Sequence, residues 1–202
     1  MANTDRPCGF RPQRALNGGN WTALVRRVQV GDASSDSTNN HGDIYIGDPI
    51  KLSSGKALAA NSGDTILGVV VGVGKASATW GEPGAFDPTT LSSALYVPYG
   101  ETSSDSDWYV WYVPAEFVVF EVQTAADLDL VPGSEADFST DANEAHGSQT
   151  TGISTAELVV NSNSDIMVVE DVRDPENDVT AANAKHIVRF RDTAHMAADP
   201  AS

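Results

Sequence analysis

The chain has 202 residues, enough for one well-buried domain with decoration, the preferred reading, or at most two small ones, and 28 acids against 12 bases give a formal net charge of −16. That balance disfavours general attraction to nucleic acid or to an anionic membrane, so neither is expected as a partner. A single cysteine, Cys8, rules out an internal disulfide, and no apolar run approaches the about 18 residues of a membrane span. The first residues lack the apolar stretch of a signal peptide, which leads us to expect synthesis and folding in the cytoplasm.

Residues 1–22 are predicted to form an extended N-terminal arm. Arg6, Pro7, Gly9, Phe10, Arg11, Pro12 and Arg14 precede Asn17-Gly18-Gly19-Asn20, a mixture in which proline fixes extended backbone and glycine prevents regular structure. Counted through Arg27, the segment holds five arginines against one acid, Asp5. A basic arm on an acidic protein suits a surface of opposite charge, either a partner or a sister subunit. Phe10 and Trp21 argue that it docks, since aromatics are depleted from segments that never do.

Ala23 to Val30 has strand character, and 31–42 reads as a polar loop. Asp32, Asp36, His41 and Asp43 there lack the alternate-residue pattern of a calcium loop and the Cys/His set of zinc, so no metal is expected. From Gly42 to Gly74, short Ile- and Val-rich runs alternate with tight turns. Val69, Val70 and Val71 stand in a row, as in a strand covered on both faces, while Gly68, Gly72 and Gly74 suit bulges where a small sheet curls. We read this stretch as the wall of a compact barrel.

Trp80 to Pro88 is a Gly/Pro loop, Ala94 to Pro98 a short strand, and Glu101 to Asp107 an acidic loop. Trp108 to Val113 and Phe117 to Val122, separated by Pro114-Ala-Glu116, read as a hairpin with large residues on both faces, Trp111 and Val119 being assigned to the core. No lysine or arginine occurs from Ala76 to Val172, so most of the acids there are expected to face water or bind cations loosely. Later strands are expected at Glu157–Val160, Asp165–Glu170 and His186–Arg191, with one or two helical turns from Asp178 to Ala184. The expected architecture is therefore mainly β: an arm over 1–22, one small β-barrel domain with long acidic loops over 23–195, few or no helices, and a frayed tail over 196–202.

Catalytic signatures are missing. Gly72-Val-Gly-Lys75 lacks the leading glycine and the hydroxyl residue of a phosphate loop, and no Gly-x-Ser-x-Gly elbow occurs. Cys8 has no histidine near it, and His41, His146, His186 and His195 are scattered. Neither an enzyme nor a cofactor is expected.

Cys8-Gly-Phe-Arg-Pro12, followed by Asn17-Gly18-Gly19, is similar to the start of many small virion proteins of tailed phages, especially marine ones. Gly47-Asp-Pro-Ile-Lys-Leu52 through Ile66-Leu-Gly-Val-Val-Val-Gly-Val73 resembles the β-barrel signature of head decoration, or cement, proteins. Asp174-Pro-Glu-Asn177, His186-Ile-Val-Arg-Phe190 and His195 resemble the end of the same group. The resemblance implies a tulip-like barrel that assembles as a homotrimer on the outside of an icosahedral head and clamps subunits of the major capsid protein. On that reading Arg6, Phe10, Arg11, Arg14 and Trp21 form the contact arm to the shell or a sister subunit, and deleting residues 1–14 is expected to abolish attachment while leaving a folded barrel. A head fibre or tail receptor-binding protein contacting host glycan is the alternative, and a soluble carbohydrate-binding or hydrolytic domain a more distant one.

Overall fold

The structure, a computed structural model, describes residues 3–31, 43–75, 95–98, 108–139, 147–160, 163–174 and 176–194. It is mainly β, with antiparallel sheets and, among the described residues, no α-helix. Expectations for the 32–42, 80–88 and 101–107 loops, for His41, His146 and His195, and for the 196–202 tail fall outside these residues.

Five strands make the first sheet: β2 (Arg26–Gln29), β3 (Pro49–Ser53), β4 (Lys56–Ala59), β5 (Gly68–Lys75) and β6 (Trp108–Pro114), ordered β2-β6-β5-β3-β4. It curls until its two edges meet. Val30, just past β2, bridges Ala57 of β4, and the Gly31 N–H donates to the Ala57 carbonyl at 2.8 Å. The curl has a local cause in β5, where the register against β6 slips between Val70 and Gly72, a bulge that bends the strand. Trp111 lies over the glycines that follow, so that a Cβ on Gly74 would meet the edge of its indole. Trp111 is therefore half-buried on the outer surface rather than in the core as expected, whereas Val119 is buried as expected.

The second sheet contains β1 (Arg11–Ala15), β7 (Val118–Gln123), β8 (Glu135–Phe138), β11 (Leu158–Val159), β12 (Ile166–Asp171) and β13 (Lys185–Phe190), ordered β1-β7-β13-β12-β8-β11. It too returns on itself: Thr124, just past β7, bridges Leu158 of β11, and the Ala125 N–H donates to the Leu158 carbonyl at 3.0 Å. The remaining pair, β9 (Gly147–Ser148) and β10 (Ile153–Ser154), forms a small sheet of its own, tied to the segment before β3 by a bridge between Ile153 and Ile46. Among the described residues, the expected barrel thus takes the form of two curled sheets whose ends meet through the Val30–Ala57 and Thr124–Leu158 bridges.

Two cores follow from this arrangement. Val30, Ile50, Ala57, Val70, Val73, Val110 and Tyr112 fill the smaller. Phe10, Phe120, Phe138, Leu158, Ile166, Val168, Val188 and Phe190 dominate the larger, joined by Val69 and Val113. Val69 and Val70 therefore face different cores, which is why the valine run shows no polar alternation.

β6 and β7 do not pair as a hairpin. β6 belongs to the first sheet and β7 to the second, and the chain crosses between them through Pro114 and a 3₁₀ turn at Ala115–Phe117. The crossing is fixed by the Ala115 N–H, which donates to the Leu67 carbonyl at 3.2 Å.

Candidate functional site

The N-terminal segment does not stand off as an arm. Asn3 Nδ2 donates to the carbonyls of Asp178 and Ala182 at 2.8 and 3.0 Å, and Asn3 Oδ1 accepts the Asp178 N–H at 2.8 Å. Next, the Arg6 N–H donates to Gln123 Oε1 at 3.1 Å. Gln123 is itself buried, and its Nε2 faces Asp5 Oδ1 at 3.1 Å, Glu157 Oε1 at 2.9 Å and Asn183 Oδ1 at 3.3 Å. Burial pushes the Glu157 carboxyl up, the Gln123 bond pulling it back and the Asp5 charge adding to the rise. One amide thus ties the start of the chain to three elements.

Phe10 is where this segment enters the interior. It is 1 % exposed and meets Phe190 at 4.9 Å between ring centroids, Phe138 at 5.9 Å and Phe120 at 6.5 Å. Its assignment to a contact arm is corrected: the ring belongs to the larger core. Gly9 and Gly47 make the entry possible, with φ of +63° and +97°. The Phe10 N–H donates to the Gly47 carbonyl at 2.9 Å, and a Cβ on Gly9 would lie 2.7 Å from that oxygen.

Beyond Phe10, β1 joins β7 antiparallel, with a bulge between Pro12 and Arg14. Arg11 pairs with Glu121 at 3.6 Å and Arg14 with Glu170 at 2.6 Å. The hydrogen bond from Arg14 holds the Glu170 carboxyl below its ordinary range and raises Arg14 in turn. Both pairs are well exposed on the arginine side, where such contacts contribute about 0–1 kcal/mol. Trp21 is half-buried in a 3₁₀ turn, Trp21–Leu24, that Asn20 caps through the Thr22 N–H at 3.0 Å, and it packs against the larger core. Of the five expected contact residues, then, Arg6, Arg11 and Arg14 are exposed while Phe10 and Trp21 hold the segment down.

β1 is an outermost strand, yet Pro12 and the bulge make its free edge a poor template for another strand. An apolar spot missed in the sequence lies at its end. Leu16 is 53 % and Phe117 40 % exposed, joined by the Leu16 N–H donating to the Phe117 carbonyl at 2.8 Å. Phe117 sits in an apolar run that reads as strand interior, and only the 3₁₀ crossing turns it outward.

Of the acids weighed for a metal, Asp43 is the described one. It accepts from the Tyr45 hydroxyl at 2.7 Å and from Gln149 at 2.9 Å. Among the described residues no group of three or more metal-ligating side chains forms, and no helix is long and apolar enough to cross a membrane.

His186 is fully buried in β13. Its Nδ1 lies 3.1 Å from Asp171 Oδ1, and its Nε2 finds no partner among the described residues. Burial holds the imidazole below its ordinary range, outweighing the upward pull of Asp171. Because the unfolded chain takes the proton more readily, the stability attached to neutral His186 is full above about pH 6.5 and declines as pH falls below it. Denaturation midpoints measured from pH 7.5 to 5 are expected to fall more steeply for the wild type than for His186→Gln; equal slopes would remove His186 from the acid response.

Comparison with protein-family models, with curated proteins and with solved structures gives no match for this chain.

Proposed function

We propose that this chain is a non-catalytic structural protein of a tailed-phage particle, a decoration protein that binds the major capsid protein on the outside of the head as a homotrimer. One observation supports the reading most. The three stretches that carry the resemblance, far apart in sequence, converge on a single joint: Phe10 of the first rests on the Gly47 carbonyl of the second and on the Phe190 ring of the third. Residues that jointly build a fold are those a shared architecture would keep in order, so the likeness gains weight as a likeness of fold. Burial raises the Cys8 thiol, which suits a structural rather than a nucleophilic residue. The contact surface on this reading is the outward row of Arg11 and Arg14 with Leu16 and Phe117, an apolar pair rimmed by charge. Repeated over many trimers, modest contacts of this kind would add up on the shell.

The copy number in purified particles, by gel densitometry against the major shell protein, tests it. A ratio near one to one is expected. A few copies per particle would favour a head fibre or tail protein, for which half-exposed Trp111, lying across Gly72 and Gly74, offers an aromatic surface to glycan. Absence from the particle would overturn both.

A further inference from the structure

The docked N-terminal segment and the turns before β13 enclose a cleft of about 280 Å³, just below the about 300–1,000 Å³ of most small-molecule sites. Its walls are held rigidly by asparagines. Besides the three bonds of Asn3, Asn177 mimics a strand: its Nδ2 donates to the Val172 and Lys185 carbonyls at 3.1 and 2.9 Å, and its Oδ1 accepts the Lys185 N–H at 2.8 Å. Asn183 is fixed through Gln123. Against these spent amides, the Arg6 and Lys185 side chains reach the same cleft with no ion pair among the described residues, in a protein of net charge −16. Asp174 and Glu176 line it as well, also without a cation paired to them.

Two cations and two carboxylates with no ion pair among the described residues, where Asp174 Oδ1 accepts only the Glu176 N–H at 3.0 Å, line one cleft and make a receptor for a ligand of matching mixed charge. We propose that this cleft binds a short extended peptide segment bearing one carboxylate, seated on Arg6 and Lys185, and one ammonium or guanidinium, seated on Asp174 and Glu176. The volume admits a side chain or two, and peptide groups between the charges match the polar lining. The site does not depend on what particle, if any, the protein decorates.

Capped tripeptides serve as probes: acetyl-Glu-Gly-Lys-amide against the Glu-Gly-Glu and Lys-Gly-Lys analogues, titrated into the full chain while the backbone amide resonances of Asn177, Asn183 and Lys185 are followed. The mixed peptide is expected to give saturable shifts at these amides and to bind at least about fivefold more tightly than either analogue. Arg6→Gln with Lys185→Met keeps the side-chain stems and is expected to weaken it about tenfold or more, while Arg189→Ala on the exposed face of β13 leaves it unchanged. Asp174→Asn with Glu176→Gln should instead reverse the preference toward Glu-Gly-Glu. No saturable shift in the wild type, or equal binding of all three peptides, would overturn the proposal.

Discussion

Phe10→Ala is expected to lower folding stability by about 3–5 kcal/mol, the range for emptying a fully buried aromatic site. The ring contacts three others from β7, β8 and β13, two of them edge to face, and such pairs add about 0.5–1.5 kcal/mol beyond the area they bury. Collapse into the cavity is hindered, because the neighbouring rings stand on hydrogen-bonded strands. Equilibrium urea denaturation should show the midpoint falling with little change in slope. Arg11→Ala and Arg14→Ala, on the same strand but facing water, are expected to cost no more than about 1 kcal/mol each. Wild-type stability in Phe10→Ala would return the segment to a free arm. The same reasoning overturns the expectation that deleting residues 1–14 leaves a folded barrel: such a truncation removes a core ring and most of β1.

Gly9→Ala should be nearly as damaging, by more than about 2 kcal/mol, for a different reason. Positive φ in a residue with a Cβ costs on the order of 1–2 kcal/mol by itself. The added methyl would also stand 2.7 Å from the Gly47 oxygen and from the Ser154 Cβ, both anchored in the fold. Gly133→Ala separates the two costs. Gly133 has φ +95°, but a methyl placed there would meet nothing within 4 Å, so its substitution reports backbone strain alone. Thermal or chemical denaturation of the pair should place Gly9→Ala clearly below Gly133→Ala; equal losses would mean that the joint yields to the methyl.

The β class was legible because it rests on local pattern. Short Ile/Val runs between turn residues read as strands, the Gly68–Gly74 spacing marked the bulge, and the valine run announced two covered faces. The partners of those strands were not legible, because pairing is decided by contacts far apart in sequence. Trp108–Val122 carries every local mark of a hairpin, yet its halves serve different sheets. The N-terminal segment shows the same limit: Pro, Gly and Arg specify extended chain but not whether it docks, and Phe10 and Trp21 were the signal to weigh more heavily. His186 could have been found from alternation, since it shares an inward face with Val188 and Phe190. At Asp178 the cap forms through the Thr180 N–H at 3.1 Å, but no helix follows. Asn183 turns to φ +61°, and Asn3 takes the Asp178 and Ala182 carbonyls that a helix would have used.

The meeting of Phe10 with Phe190 also sets a timetable for making the protein. A ribosome that has just released Phe10 has almost the whole sequence still to translate before the ring's nearest aromatic partner among the described residues exists, and β7, the strand β1 pairs with among those residues, is itself more than half the chain away. At about 5–20 residues per second, the first strand waits many seconds without its sheet. During that interval its arginines and proline keep a lone strand from pairing with the wrong nascent neighbour.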